Sequence, residues 1–275
     1  MVIGTQFGVL LLILLNLWPV RIVLTLLVLV LAAGAAWWFF IREDARLAEA
    51  PLAFQNTPTA GAGNAAPTDT PAATAEATAT GAQTDVQAGV GYTLYVLVPE
   101  HPTVDGPAEA AYFADEQLAR IGVPSTAKGT TFDVSGQFAI GADGLHPTVA
   151  ATIVVGVASL QSDESMRDNR VRGALQTSLF PTATFTATSI GGWTGDIPEG
   201  QEVALTLVGM MDLHGIQREL TWEVIATRQG DVITALATTN FLYADFDIPI
   251  LNIGGFVSVE DDVTIQVQLI AVAAG

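Results

Sequence analysis

The chain has 275 residues, 28 acidic against 10 basic, a net charge of -18 and no cysteine. Nucleic acids and anionic membrane surfaces recruit a basic footprint, so acidity on this scale excludes both as partners. Without thiols there is no disulfide framework, no thiolate metal site and no lipid-modified cysteine.

Residues 1–21 form an apolar segment too short to span a bilayer and suited to lying at its interface, closed by Trp18-Pro19. Residues 22–41 (IVLTLLVLVLAAGAAWWFFI) carry no charge and have the length needed to cross about 30 Å of hydrocarbon. Trp37 to Phe40 supply an aromatic belt before the polar IREDAR. A single transmembrane helix is the economical reading; a helical hairpin with the first segment and a signal peptide cleaved near Gly34-Ala35-Ala36 are the alternatives. Arg21 and the amino terminus nearly balance Arg42 and Arg46, so charge leaves the orientation open.

Residues 42–90 are rich in Ala, Thr, Gly and Pro, too poor in large apolar groups to offset the entropy of ordering, and read as a flexible linker. Its forty residues from 51 onward would reach about 35 Å as a coil. Stalks of this composition hold domains outside the cytoplasm, so the expected arrangement is a single-pass cell-membrane protein with an extracytoplasmic carboxy-terminal domain.

From residue 91 to 275 the pattern alternates with period two. Val263, Ile265, Val267 and Leu269 share one face, with Thr264, Gln266 and Gln268 on the other; Leu220, Trp222, Val224 and Ala226 oppose Thr221 and Glu223. The same rule predicts strands near 92–98, 108–115, 132–140, 148–158, 183–188, 202–210 and 231–241. Turn signals such as Ala142-Asp143-Gly144 and His214-Gly215 leave no room for helical crossovers. About nine short antiparallel strands in an all-β sandwich or barrel follow. The exception is 162–174, where a short helix fits, with Ser162 as N-cap and Gly173 near its end. Arg167, Arg170 and Arg172, three of the ten cations, sit there around Asp168.

His101, His146 and His214 lack metal-ligand spacing, and no nucleophile elbow or phosphate loop is present, so neither a metal, a cofactor nor an enzyme activity is expected. The inward-facing candidates are Phe132, Phe138, Val155, Phe185, Leu205, Trp222 and Phe241, interleaved with Ala183, Ala187, Ala235 and Gly136. Such an interior is either filled or hollow. If hollow, it would gain about 0.8 kcal/mol for each CH₂ of a hydrocarbon chain it buries.

Four ordered stretches resemble the YceI-like family of bacterial polyisoprenoid-binding proteins: KGTTFDVSGQFAI (128–140), SMRDNRVRGALQTSLFPTATFTAT (165–188), GMMDLHGIQREL (209–220), and FLYADFDI with VEDDVTIQVQLIA (241–248 and 259–271). Asp212, Gln217, Glu219 and Asp247 depart from the usual residues. The resemblance implies an antiparallel lipocalin-like β-barrel with one short helical insertion, here preceded by the transmembrane helix and disordered spacer. It also implies an apolar lumen holding an isoprenoid lipid, a polyprenyl phosphate or a quinone-like tail, as carrier or sequestering protein. The alternative is a non-catalytic structural or interaction barrel with a packed core. Arg167, Asp168, Arg170, His214 and Arg218 are the polar candidates at the barrel mouth, where they either pin the helix or meet an anionic head group.

Overall fold

A computed structural model of the chain describes residues 46–55, 91–118, 124–250, 252–253 and 257–274. The expected segments 1–21 and 22–41, and the linker from 56 to 90, lie outside the described residues. Among those described, no helix is long and apolar enough to cross a membrane.

The chain order is β1 (Tyr92–Leu97), β2 (Glu109–Leu118), β3 (Pro124–Thr131), β4 (Val134–Gly141), β5 (Gly144–Leu145), β6 (Ala151–Gly156), β7 (Gln161–Ser162), α1 (Ser165–Ala174), β8 (Thr182–Gly191), β9 (Val203–Leu213), β10 (Ile216–Gln229), β11 (Val232–Leu242), β12 (Asn252–Ile253) and β13 (Val257–Ala273). Every pairing between these strands is antiparallel, as short connections require. β13 closes the sheet on itself. One of its edges pairs with β11, and the other pairs with β2 up to Gln268 and then with β1 from Ala271. The result is an eight-stranded barrel in which β2 with β1, β3 with β4, and β7 with β6 each share one position in the wall.

This sharing corrects the strand expected through 132–140. The chain breaks step at Phe132-Asp133, where Val134 N–H donates to Phe132 O at 3.0 Å and Gly156 N–H donates to Asp133 O at 2.8 Å. β3 faces β2 and β7 on one side of the break; β4 faces β1 and β6 on the other. Phe132, expected in the lumen, falls in the break and is 57% exposed. Alternation through one unbroken strand cannot register a step of this kind.

The helix also starts later than expected. Glu164, not Ser162, is the N-cap, accepting from Met166 N–H at 3.2 Å, while Ser162 belongs to β7. Arg167, Val171, Ala174 and Leu175 then fall on one face by the spacing of four, three and one residues, and that face turns toward the barrel.

A further difference concerns residues 46–55, expected within the flexible linker. Gln266 of β13 accepts from Ala48 N–H (2.7 Å) and donates to Ala48 O (3.0 Å), and Gln268 repeats the grip with Leu52 N–H (3.1 Å) and Ala50 O (3.0 Å). Phe54 then bridges Val104, and Gln55 N–H donates to Thr103 O at 2.8 Å. This strap covers the outer face of β13, which is why Gln266 is only 6% exposed on the face expected to meet solvent. Residues 46–55 therefore belong with the barrel and not with the linker they were expected to be part of.

Candidate ligand-binding lumen

Side chains on the inner face of a small barrel either meet across the axis or leave a hollow, according to their volume. Here the wall alternates bulk with alanine: Ala110, Ala183, Ala187, Ala226, Ala235 and Ala237 all face inward, and a cavity of about 210 Å³ remains. The lumen is hollow. Among the described residues no Asp, Glu, Lys, Arg or His lines it.

Six of the seven residues expected in the lumen are on its wall. Phe138, Val155, Phe185, Leu205, Trp222 and Phe241 come one each from β4, β6, β8, β9, β10 and β11, six neighbours in the sheet. Period-two alternation within each strand placed them, and closure brought them together. Phe185 and Trp222 lie with ring centroids 5.7 Å apart, and Phe241 meets Phe246 edge-on at 4.9 Å. Phe132 is the exception already described.

The two ends of the barrel differ. At the end of β8 away from α1, Trp193 lines the cavity and donates its indole N–H to Gly141 O at 3.0 Å. At the other end Val171 and Ala174 of α1, with Leu175 just after it, line the cavity. There Arg167 is 9% exposed and Glu116 of β2 is 7% exposed. Arg167 donates from Nε to Glu116 Oε1 at 3.2 Å and from Nη2 to Glu116 Oε2 at 3.4 Å, with Nη1 to Asp163. Burial alone would lower the guanidinium, but the facing Glu116 and then Asp163 outweigh it, and its pKa is raised. Asp168 points elsewhere, accepting from Ser162 N–H (2.8 Å) and Ser162 Oγ (2.7 Å), which ties the helix to β7.

The other polar candidates separate accordingly. Arg170 is exposed, and among the described residues no ion pair reaches it. Arg218 is also exposed, and its Nη1 donates to its neighbour's carbonyl, Gln217 O, at 3.1 Å. His214 sits at the tip of the β9–β10 hairpin with φ +57°, followed by Gly215 at φ +76°, where a residue without Cβ is favoured. Its Nδ1 is 3.0 Å from Phe246 O and so must carry the proton; its Nε2, 2.8 Å from Gln176 Nε2, accepts. His214 is thereby a clamp between the hairpin, the turn after β11 and the segment after α1. Arg167, Asp168 and His214 hold this end together; Arg170 and Arg218 do not join them.

Three polar groups of the lining or its rim are not legible in the sequence. Tyr112 of β2 lies across Gly129 of β3, where a Cβ would come within 2.2 Å of the ring. Among the described residues its buried hydroxyl makes no hydrogen bond of normal geometry, though Ser162 Oγ, which donates to Asp168 and accepts from Arg167 Nη1 at 3.4 Å, lies on that side and acts on it. Burial, opposed by Arg167, pushes this phenol up to about 12, and burial likewise raises Tyr243, at the same end. The third group is the indole N–H of Trp222, 4% exposed and also unpartnered. Trp222 appeared in the sequence as apolar wall, and nothing in the alternation distinguishes its N–H from its rings.

Residues 95–271 match the YceI-like domain family model. A UPF0312 protein of Vibrio vulnificus is 28% identical over 141 residues, covering 48% of this chain and 70% of that protein. Among solved structures, a polyisoprenoid binding domain from Saccharophagus degradans is 18% identical and covers 66% of this chain and 98% of its own (TM-score 0.46). Burkholderia cenocepacia BcnA is 17% identical and covers 59% and 95% (TM-score 0.44).

Proposed function

Because this chain belongs to the YceI-like domain family, we propose that it is a lipid-binding protein that holds an isoprenoid-type chain in its barrel and carries or sequesters it unchanged. The observation that carries this reading is the hollow lumen, walled chiefly by apolar side chains from around the barrel and, among the described residues, free of charged ones. An alkyl or prenyl chain gains about 0.8 kcal/mol for each CH₂ it transfers there from water, while a polar metabolite would leave its own groups unpaired. A barrel acting only through its loops, with a packed core, would have no use for six inward alanines at these positions.

The same proposal places the barrel outside the cytoplasm on a single-pass anchor formed by residues 22–41. Supporting it are the uncharged twenty-residue stretch, its aromatic flank and the Thr/Ala/Pro-rich composition of 56–90. A lipid carrier gains from such tethering, since its cargo partitions into the bilayer.

The test is direct. The full-length chain, purified in mild detergent, is extracted with organic solvent and the extract read by mass spectrometry. A stoichiometric long-chain lipid is expected; an extract holding only detergent and bulk phospholipid, from protein that also fails to take up added prenyl lipid, would overturn the reading. For topology, residues 91–275 are expected to be accessible to protease added outside intact spheroplasts, and protection there would refute the outward arrangement.

A further inference from the structure

The strap runs along the barrel in one direction. Gln268 grips it at Leu52 and Ala50 and Gln266 grips it at Ala48, so, followed back from Phe54, it heads for the start of β13. That start lies at the α1 end: Asp262 pairs with Leu242 at the end of β11, and the turn after β11 is clamped to the hairpin by His214. From Ile41, the last residue of the uncharged stretch 22–41, to Ala48 the chain takes seven steps, which reach at most about 24 Å when fully extended. Along β13 the α1 rim at Asp262 is four residues from Gln266, about 14 Å, and the opposite rim at Ala273 is seven, about 24 Å. A chain bound for the opposite rim would also have to turn back along the path that the strap occupies. A bilayer holding residues 22–41 therefore meets the α1 end with chain to spare, and the Trp193 end only at full stretch.

The α1 end is also where large apolar side chains stand in the open. Met166 in the first turn of α1 and Leu179 just after the helix are 64% and 69% exposed, the two highest values among the large apolar residues described. Phe180, next to Leu179, packs edge-on against His214 at 5.4 Å, which fixes this segment at the hairpin. Leu242, which ends β11, and Ile250, beyond the clamped turn, are exposed as well. From this, and resting on the anchor reading above, we infer that the α1 end of the barrel docks on the surface of the bilayer, with Met166 and Leu179 entering the interfacial layer. Apolar contact and the short tether hold it there, not charge. Arg170 and Arg218 are exposed on this end, but the acids Asp163, Glu164, Asp245 and Asp247 outnumber them, so an anionic surface weakens the contact. Val171 and Ala174 of α1 line the cavity, so the helix that meets the bilayer is also a wall of the lumen.

The chain has no cysteine, so a single introduced cysteine carries a label without competition. Leu179→Cys at the α1 end and Gln229→Cys at the end of β10 on the opposite rim, both exposed positions, are labelled in the full-length protein with an environment-sensitive fluorophore. Each is reconstituted into phosphatidylcholine vesicles with and without lipids that carry a nitroxide on the head group. Flotation with the vesicles tests the anchor by itself. In the floated protein the label at 179 is expected to shift to the blue and to be quenched several-fold more than the label at 229, and added phosphatidylglycerol is expected to reduce that quenching. Equal quenching at the two sites, stronger quenching at 229, or quenching at 179 that grows with phosphatidylglycerol would overturn the inference while leaving the anchor standing. If the protein does not float with the vesicles, the anchor reading falls and this inference falls with it.

Discussion

Arg167 of α1 and Glu116 of β2, 51 residues apart in sequence, meet through two N–H···O bonds of 3.2 and 3.4 Å, and both are more than nine-tenths buried. The pair joins the one helix of the barrel to the wall it covers, with Asp163 completing the guanidinium's partners. Removing one member of such a pair leaves the other charge buried alone, which costs about 3 kcal/mol or more. Arg167→Gln is therefore expected to lower the melting temperature markedly, while Arg170→Gln, at an exposed site, changes stability by less than about 0.5 kcal/mol. Differential scanning fluorimetry with lipid quantified in parallel separates the roles: a stable Arg167→Gln that has lost its lipid would make Arg167 a head-group contact instead of a pin.

The same end of the barrel fixes the alkaline limit of stability. Tyr112 has its phenol raised from 10.0 to about 12, and Tyr243 is raised as well, both chiefly by burial. A phenol raised in the folded state binds its proton more tightly there than in the unfolded chain. Its contribution is then complete below about pH 10 and is lost as pH rises toward 12. Burial also raises Tyr95, so absorbance at 295 nm should show Tyr95 titrating late as well as Tyr112 and Tyr243, the last of them together with unfolding. Tyr112→Phe should reduce the loss of stability between pH 10 and pH 12, and an unchanged alkaline limb in that variant would contradict this account.

Gln266 holds the strap with two hydrogen bonds to the Ala48 backbone, and a third, from its Nε2 to Thr238 Oγ1 at 3.1 Å, fixes its side chain against β11. At about 1 kcal/mol for each bond, with the backbone groups of Ala48 returned to water, Gln266→Ala should cost about 1–2 kcal/mol. Its local signature is sharper. The Ala48 and Leu52 amides should exchange with deuterium far faster in the variant, while β10 and β11 amides keep their protection. Uniform loss of protection would mean that Gln266 supports the barrel itself.

Much of this architecture was legible in the chain. Trp222 and Val224, or Val263 and Val267, alternate with polar residues, and each lies on the wall where that pattern puts it. The hairpin at His214-Gly215 follows from two positions requiring positive φ. What was hidden involves partners distant in sequence. Nothing near Arg167 points to Glu116, and Ala48 to Gln55 carry no periodicity because the strap pairs through glutamine side chains on another element. Phe132 reads as wall because alternation assumes a continuous strand, whereas the ladder changes partners at that residue. The hollow itself depends on summed volumes across the barrel, which alanine positions suggest and only closure decides.

Filling that hollow separates cargo binding from folding. Ala235 of β11 faces the cavity, whereas Ala139 of β4 is fully buried and is not on the cavity wall. A phenyl group at 235 has open space to occupy and covers more of its own surface, so Ala235→Phe should hold the melting temperature close to wild type. At 139 the same ring meets packed atoms, and overpacking should cost about 1–3 kcal/mol. The lipid content of Ala235→Phe should nonetheless fall by most of its wild-type value, because the ring stands where the chain would lie. Unchanged lipid content at unchanged stability would place the cargo elsewhere on the protein, and a collapse of stability equal to that of Ala139→Phe would show that the lumen is packed.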